Sequence, residues 1–276
     1  MPNRRHSTGA AMPARPHPSP LAPTAPPSRA VHLAGATTML PLMQRLAEAY
    51  MGRDARERVV ITEGGGTARG YKAVLDRTAD IAMASGPVPD DFNSELQARV
   101  LALHRVTLGR DPIAILVHAS NPVSNISLRQ LADLFTGRIG NWRDAGGPDG
   151  PVQVLVGPPG GGVSAQFKQV LGSGASYTPS RLVLDSGARL LRAASDPAAI
   201  TFAATMAPQQ LALKVLTVDH LSPAAPAYPL QTPLTLALAG QPSGPAGALI
   251  RFLAVSWSGA RAGAPGLSAM AAAHHG

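Results

Sequence analysis

Three short segments of this chain repeat one arrangement: an apolar run, a bend rich in glycine or threonine, then a helical pattern. They are Gly35-Ala36-Thr37-Thr38 after Val31–Ala34, Gly64-Gly65-Gly66-Thr67 after Val59–Thr62, and Gly160-Gly161-Gly162-Val163-Ser164 after Val152–Val156. Strand, bend and helix in that order build a mainly parallel sheet with helices on its faces, an α/β fold. In open sheets of this kind the bends collect at the carboxyl ends of the strands, where ligands bind. The rest of the chain keeps the alternation. Asp80–Ala84, Leu101–Leu108, Pro112–His118, Arg181–Leu184, Ala199–Ala203, Lys214–Val218 and Leu234–Ala239 read as β segments. Helices are expected after a cap at Thr37 or Thr38, over Ala68–Arg77, over Asn93–Val100 and from a Ser127 cap to a stop at Gly137. Further ones are expected around Phe167, up to Ala194 and over Ala246–Trp257.

Each bend places backbone N–H groups at a helix start. With the helix dipole, such groups hold an anion without any charged side chain. Glycine lets the backbone come close, and Thr and Ser hydroxyls add donors. Capping and tight turning account for any one bend just as well. Three in one α/β chain point to a ligand.

Other chemistries find little support. The net charge of +8 is split: residues 1–30 carry Arg4, Arg5, Arg15 and Arg29 with no acid, and the remainder is only mildly basic. No Lys/Arg run interleaved with aromatics appears, so nucleic acid is not an expected partner. There is no Cys, which excludes disulfides and thiolate sites. His32, His104 and His118 fall on separate β segments, and His274-His275 sit in an Ala/Gly-rich tail, so no metal site or cofactor is expected. Gly157 to Ser164 has the spacing of a P-loop but Val163 at the lysine position. Gln166 replaces the last glycine of a nucleophile elbow around Ser164. Asp90-Asp91 read as helix-capping acids rather than a catalytic pair. The expectation is a binding protein without catalytic residues. No apolar run reaches the length of a membrane-spanning helix. Residues 1–30 hold seven prolines between 13 and 27 and read as a disordered leader with no visible signal peptide.

The residues also resemble a known family. Gly35-Ala36-Thr37-Thr38-Met39-Leu40-Pro41-Leu42, Gly64-Gly65-Gly66-Thr67-Ala68-Arg69-Gly70 and Thr78-Ala79-Asp80-Ile81-Ala82-Met83-Ala84-Ser85 are similar to three motifs of the phosphate-binding proteins of bacterial phosphate importers. So is the block from Asn121-Pro122-Val123 through Leu134-Phe135-Thr136-Gly137 to Asn141-Trp142, with Asp196-Pro197 and Tyr228-Pro229-Leu230 further on. The resemblance covers about residues 31–258.

It implies a two-lobed periplasmic-binding-protein-like fold with a ligand cleft between the lobes. Lobe one would be residues 31–109 and 228–276, lobe two 110–227, with crossings near Arg110-Asp111-Pro112 and Tyr228-Pro229. It implies an extracytoplasmic, monomeric receptor for phosphate or a similar small oxyanion, working with an ABC permease. The ligand-binding residues it implies are Thr37, Thr38, Gly66, Thr67, Arg69, Ser85, Gly161, Gly162 and Ser164. The chain departs from the family pattern at three donors: Gly157 stands at an Arg position, Gly161 at a Ser and Val163 at a Thr, while Gly86 replaces an Arg after the third strand. A hydrogen bond to a charged group is worth roughly 1.5–3 kcal/mol, so three lost donors would cost about 4–9 kcal/mol. Backbone N–H groups of Gly160–Gly162, Ser164 and Arg69 are the available replacements. The alternative expectation is a binding-protein-like sensor or interaction module that no longer takes phosphate.

Overall fold

A computed structural model of the chain describes residues 29–54, 56–99, 102–159, 161–172, 176–206 and 211–262. The leader expected at residues 1–30 lies outside these, except for Arg29 and Ala30. So does the tail beyond residue 262, including His274-His275.

The first two bends and the first three strands form. β1 (Val31–Gly35) leads to α1 (Leu40–Met51), β2 (Val59–Gly65) to α2 (Gly66–Leu75), and β3 (Ile81–Ser85) to α3 (Asp90–Ala98). β2 runs on through Gly65, α2 opens two residues earlier than expected and α3 three residues earlier. α1 buries Leu42, Leu46 and Tyr50 of the face expected from its period, together with Met43 and Ala47, while Ala49, expected on that face, is exposed. Neither Thr37 nor Thr38 caps it through a side chain. Residues 37–39 instead form a 3-10 turn whose cap position is Ala36. The Ala36 amide donates to the Met83 carbonyl and the Met39 amide to the Ala36 carbonyl, so main-chain groups supply what a hydroxyl would have. In the same way Pro89, not an aspartate, holds the cap position of α3, and Asp90 and Asp91 fill its first turn.

The largest correction concerns the middle of the chain. The two β segments expected around Gly109-Arg110-Asp111 are one strand, β4 (Leu103–His118). Its ladder explains the continuity. Leu103 to Pro112 pair antiparallel with β10 (Gln231–Ala239), and Ile113 to Val117 pair antiparallel with β8 (Ala199–Ala204). No residue of the crossing is left without a neighbouring strand. Asp111 is fully buried there, accepting from the Thr205 hydroxyl and the Met206 amide.

After β4 come β5 (Asn125–Ile126), α4 (Leu128–Thr136), β6 (Gln153–Val156), α5 (Gly162–Leu171), β7 (Leu182–Val183) and α6 (Ser186–Ser195). β8, β9 (Leu213–Val218), β10 and α7 (Gly244–Ala262) complete the chain. The strands order as β2-β1-β3-β10-β4-β8-β6-β7 in one ten-stranded sheet, with β9 bridging β4 and β5. Helices flank it. No helix among the described residues is long and apolar enough to cross a membrane.

Two large apolar cores lie on either side of the crossing. One gathers Leu33, Met39, Met43, Ile81, Met83, Leu236, Leu253 and Trp257. The other gathers Ile113, Ile115, Leu134, Phe135, Trp142, Phe167, Phe202 and Tyr228. α4 enters the second core through a complete capping box: the Ser127 hydroxyl accepts from the Gln130 amide, and Gln130 Oε1 accepts from the Ser127 amide. Ser127→Ala is therefore expected to lower unfolding stability by about 1 kcal/mol, measured by denaturant titration.

Candidate functional site

Strand direction decides where the bends point. β1, β2 and β3 are mutually parallel, and all three run antiparallel to β10, as does β4. β4 therefore runs the same way as β1–β3 and leaves their carboxyl edge to enter the second core. There it pairs antiparallel with β8, and β6 is parallel to β8. The carboxyl end of β6 thus points back at the carboxyl ends of β1–β3. The topology alone makes the bends of the two halves face each other.

They meet. A Cβ built on Gly162, the first residue of α5, would lie 1.7 Å from the Ser85 carbonyl oxygen and 2.3 Å from Thr67 Oγ1. A Cβ on Gly86 would lie 2.3 Å from the Gly162 carbonyl oxygen. Only a residue without a side chain permits this approach of α5 to β3 and α2. Thr67 is buried, and its hydroxyl ties α2 to β3 by accepting from the Ser85 amide (3.0 Å) and donating to the Ser85 carbonyl (3.3 Å).

Beside this contact opens a cavity of about 740 Å³, with Thr67, Gly157, Gly161, Gly162 and Ser164 on its wall. Lys168 and Arg181 also line it, against the single carboxylate of Asp90. Of the residues singled out in the sequence, Thr67, Ser85, Gly161, Gly162 and Ser164 are brought to this boundary, with Gly66 opening α2 next to Thr67. Thr37 is exposed and Thr38 half-buried at the carboxyl end of β1, on the same sheet edge but off the cavity wall. The Thr38 hydroxyl oxygen is buried with no partner. Arg69 is exposed, and its aliphatic stem lies back over Gly65.

The helices that open at the three bends share a further trait. α1, α2 and α5, like α3, have no side chain capping their N-terminal amides, whereas Ser127 and Asp185 cap α4 and α6. A helix start without a cap leaves its first amides for another acceptor. Ser164 is buried in the first turn of α5, and its hydroxyl bonds to no described protein group.

Sequence reasoning missed Arg189. It lies on α6, is 4% exposed, and donates from Nη1 to the Phe202 carbonyl (3.1 Å) while its guanidinium sits 4.8 Å from the centre of the Phe202 ring. Its Nε has no partner. Desolvation by burial pulls its pKa down to about 10, against the opposing pull of Tyr177 and Asp185, and leaves it charged at neutral pH. The signal was in the helical period: Arg189 shares the buried stripe of α6 with Leu190 and Ala193, where a cation is out of place. Among the described residues no group of three or more His, Asp or Glu is placed to hold a metal ion.

Known proteins are similar to this chain in sequence and fold. The family model described as "PBP superfamily domain" matches residues 21–259. The phosphate-binding protein PstS 2 of Streptococcus pneumoniae is 35% identical over 108 residues, which is 39% of this chain and 34% of that protein. The match thus spans about a third of that relative's length. The phosphate-binding protein PstS of Bacillus subtilis is 24% identical over 200 residues, 72% of this chain and 64% of that one. A solved structure from Clostridium perfringens, described as a phosphate ABC transporter substrate-binding protein with bound phosphate, superimposes with a TM-score of 0.72 at 25% identity. It covers 82% of this chain and 93% of its own.

Proposed function

This chain belongs to the PBP superfamily domain family, and on that basis we propose that it captures phosphate or a similar small oxyanion and presents it to an ABC permease. The observation that carries the reading is the meeting of two uncapped helix starts, α2 and α5, from opposite halves of the sheet. Such ends attract negative charge from both sides at once. The cations Lys168 and Arg181 on the cavity wall add to the field. The relatives named above bind phosphate by their names, and the sequence departures at positions 157, 161 and 163 leave main-chain amides to do more of the holding here.

In this reading the anion is bound and released without chemistry, outside the cytoplasm. The lobes are residues 31–109 with 228–276, and 110–227. They move about the crossing at Arg110–Pro112 and the return at Tyr228-Pro229. The separate apolar cores on the two sides of β4 support that division. Two conformations that differ in how many donors converge would couple binding to delivery.

Titration calorimetry of the full chain with phosphate is expected to give saturable heat. The melting temperature should rise with phosphate, by the equivalent of about 2.7 kcal/mol at a hundred times Kd. The absence of heat and of any thermal shift with phosphate, sulfate and related oxyanions would instead leave a sensor or interaction module.

A further inference from the structure

We propose that Arg189 is the charged ligand of the anion site, reaching past Gly157 to an anion seated with Ser164 at the start of α5. The inference rests on the anion-binding reading above and adds the residue that answers the anion's charge. Four observations converge on it. A Cβ built on Gly157 would lie 3.5 Å from the Arg189 guanidinium carbon, 3.7 Å from Nη1 and 2.4 Å from Ser164 Oγ. Gly157 and Ser164 both line the cavity, so no side chain at 157 stands between the guanidinium and the first turn of α5. Arg189 is 96% enclosed, taking its 4% exposure, yet makes no ion pair with any described carboxylate. Its Nε is an unpartnered buried donor.

A buried guanidinium held this way is an unbalanced cation. The Phe202 carbonyl and ring orient it but do not neutralise it. The nearby acid, Asp185, is engaged as the cap of α6 through the Ala188 amide. Buried charges are ordinarily paired, and the pairing absent from the protein is supplied by a bound anion. The planar fork of donors on an arginine suits the oxygens of phosphate. The sequence places a glycine at 157, and the fold fills the space in front of it from another helix.

The test compares phosphate titrations of wild type, Arg189→Met and Arg189→Lys. Arg189→Met is expected to weaken phosphate binding about 100-fold or more, with Arg189→Lys between it and wild type. The ligand-free melting temperature of Arg189→Met should not fall, because a buried unpaired charge has been removed. Phosphate affinity of folded Arg189→Met within about threefold of wild type would overturn the proposal. Should that variant not fold, the wild-type protein still decides. The Arg189 Nε–Hε resonance, assigned on ¹⁵N-labelled protein, should move on saturation with phosphate, and a resonance that stays put overturns the assignment. Wild type that binds phosphate while these readouts stay unmoved leaves the functional reading standing and removes only this one. Wild type silent to every oxyanion removes both.

Discussion

Adding one methyl group at position 162 is expected to weaken phosphate capture about 100-fold or more, equivalent to about 2.7 kcal/mol, while the protein stays folded. The Gly162→Ala Cβ would start 1.7 Å from the Ser85 carbonyl oxygen and 2.3 Å from Thr67 Oγ1. Neither neighbour is free to give way. The Ser85 carbonyl belongs to the fully buried β3 and holds the Thr67 hydroxyl in turn. The first turn of α5 must retreat instead, by about an ångström or more to restore ordinary contact distances. Donors from the two halves then no longer converge. Val163 beside it packs against the second core, so stability is expected to fall as well, by about 1–3 kcal/mol, with the secondary structure seen by circular dichroism retained. Calorimetry of Gly162→Ala with phosphate reads the effect, and an affinity within about threefold of wild type would show that the close approach is unrelated to binding.

Removing the ring of Phe167 should have the largest effect on stability. It stacks on Phe202 with ring centres 4.1 Å apart and meets Phe135 edge-on at 4.8 Å, all three fully enclosed. Phe167→Ala leaves a cavity at the centre of the second core and is expected to cost about 3–5 kcal/mol. For a chain of this size that is a fall of roughly 6–20 °C in melting temperature. Because Phe167 also anchors α5, phosphate binding should weaken with it. Unfolding by guanidinium followed by tryptophan fluorescence reports the change, since Trp142 is in the same core. A loss under about 1 kcal/mol would mean that the core closes over the gap.

Much of the fold was legible because its signals are local. The Ser127 cap and the Gly137 stop are each readable within a few residues and each forms, and of the face expected for α1 Leu42, Leu46 and Tyr50 are buried while Ala49 is exposed. β4 was not legible as one strand. Gly109, Asp111 and Pro112 look like a break, and what overrides them is pairing with residues more than eighty positions away. The threonine caps failed because the amides they would have satisfied, those of Met39 and Leu40, donate to the main-chain carbonyls of Ala36 and Thr37 in the 3-10 turn. At the site, the glycine and threonine bends announced themselves, whereas Arg189 did not. Its relation to Gly157 and Ser164 exists only once α6 has packed behind β6, so no spacing in the chain encodes it.

One strand passing through both cores also fixes the kind of motion open to the molecule. β4 is paired with β10 up to Pro112 and with β8 and β9 from Ile113 on. Sliding one half along it would break ladders on both sides, while a twist about its axis breaks none. In the two-lobed reading proposed above it would serve as a torsion rod, with the buried Asp111 carboxylate as its clamp. Paired spin labels near the clamp should hold their separation with and without phosphate, and pairs spanning α2 and α5, out at the rim, should carry nearly all the change.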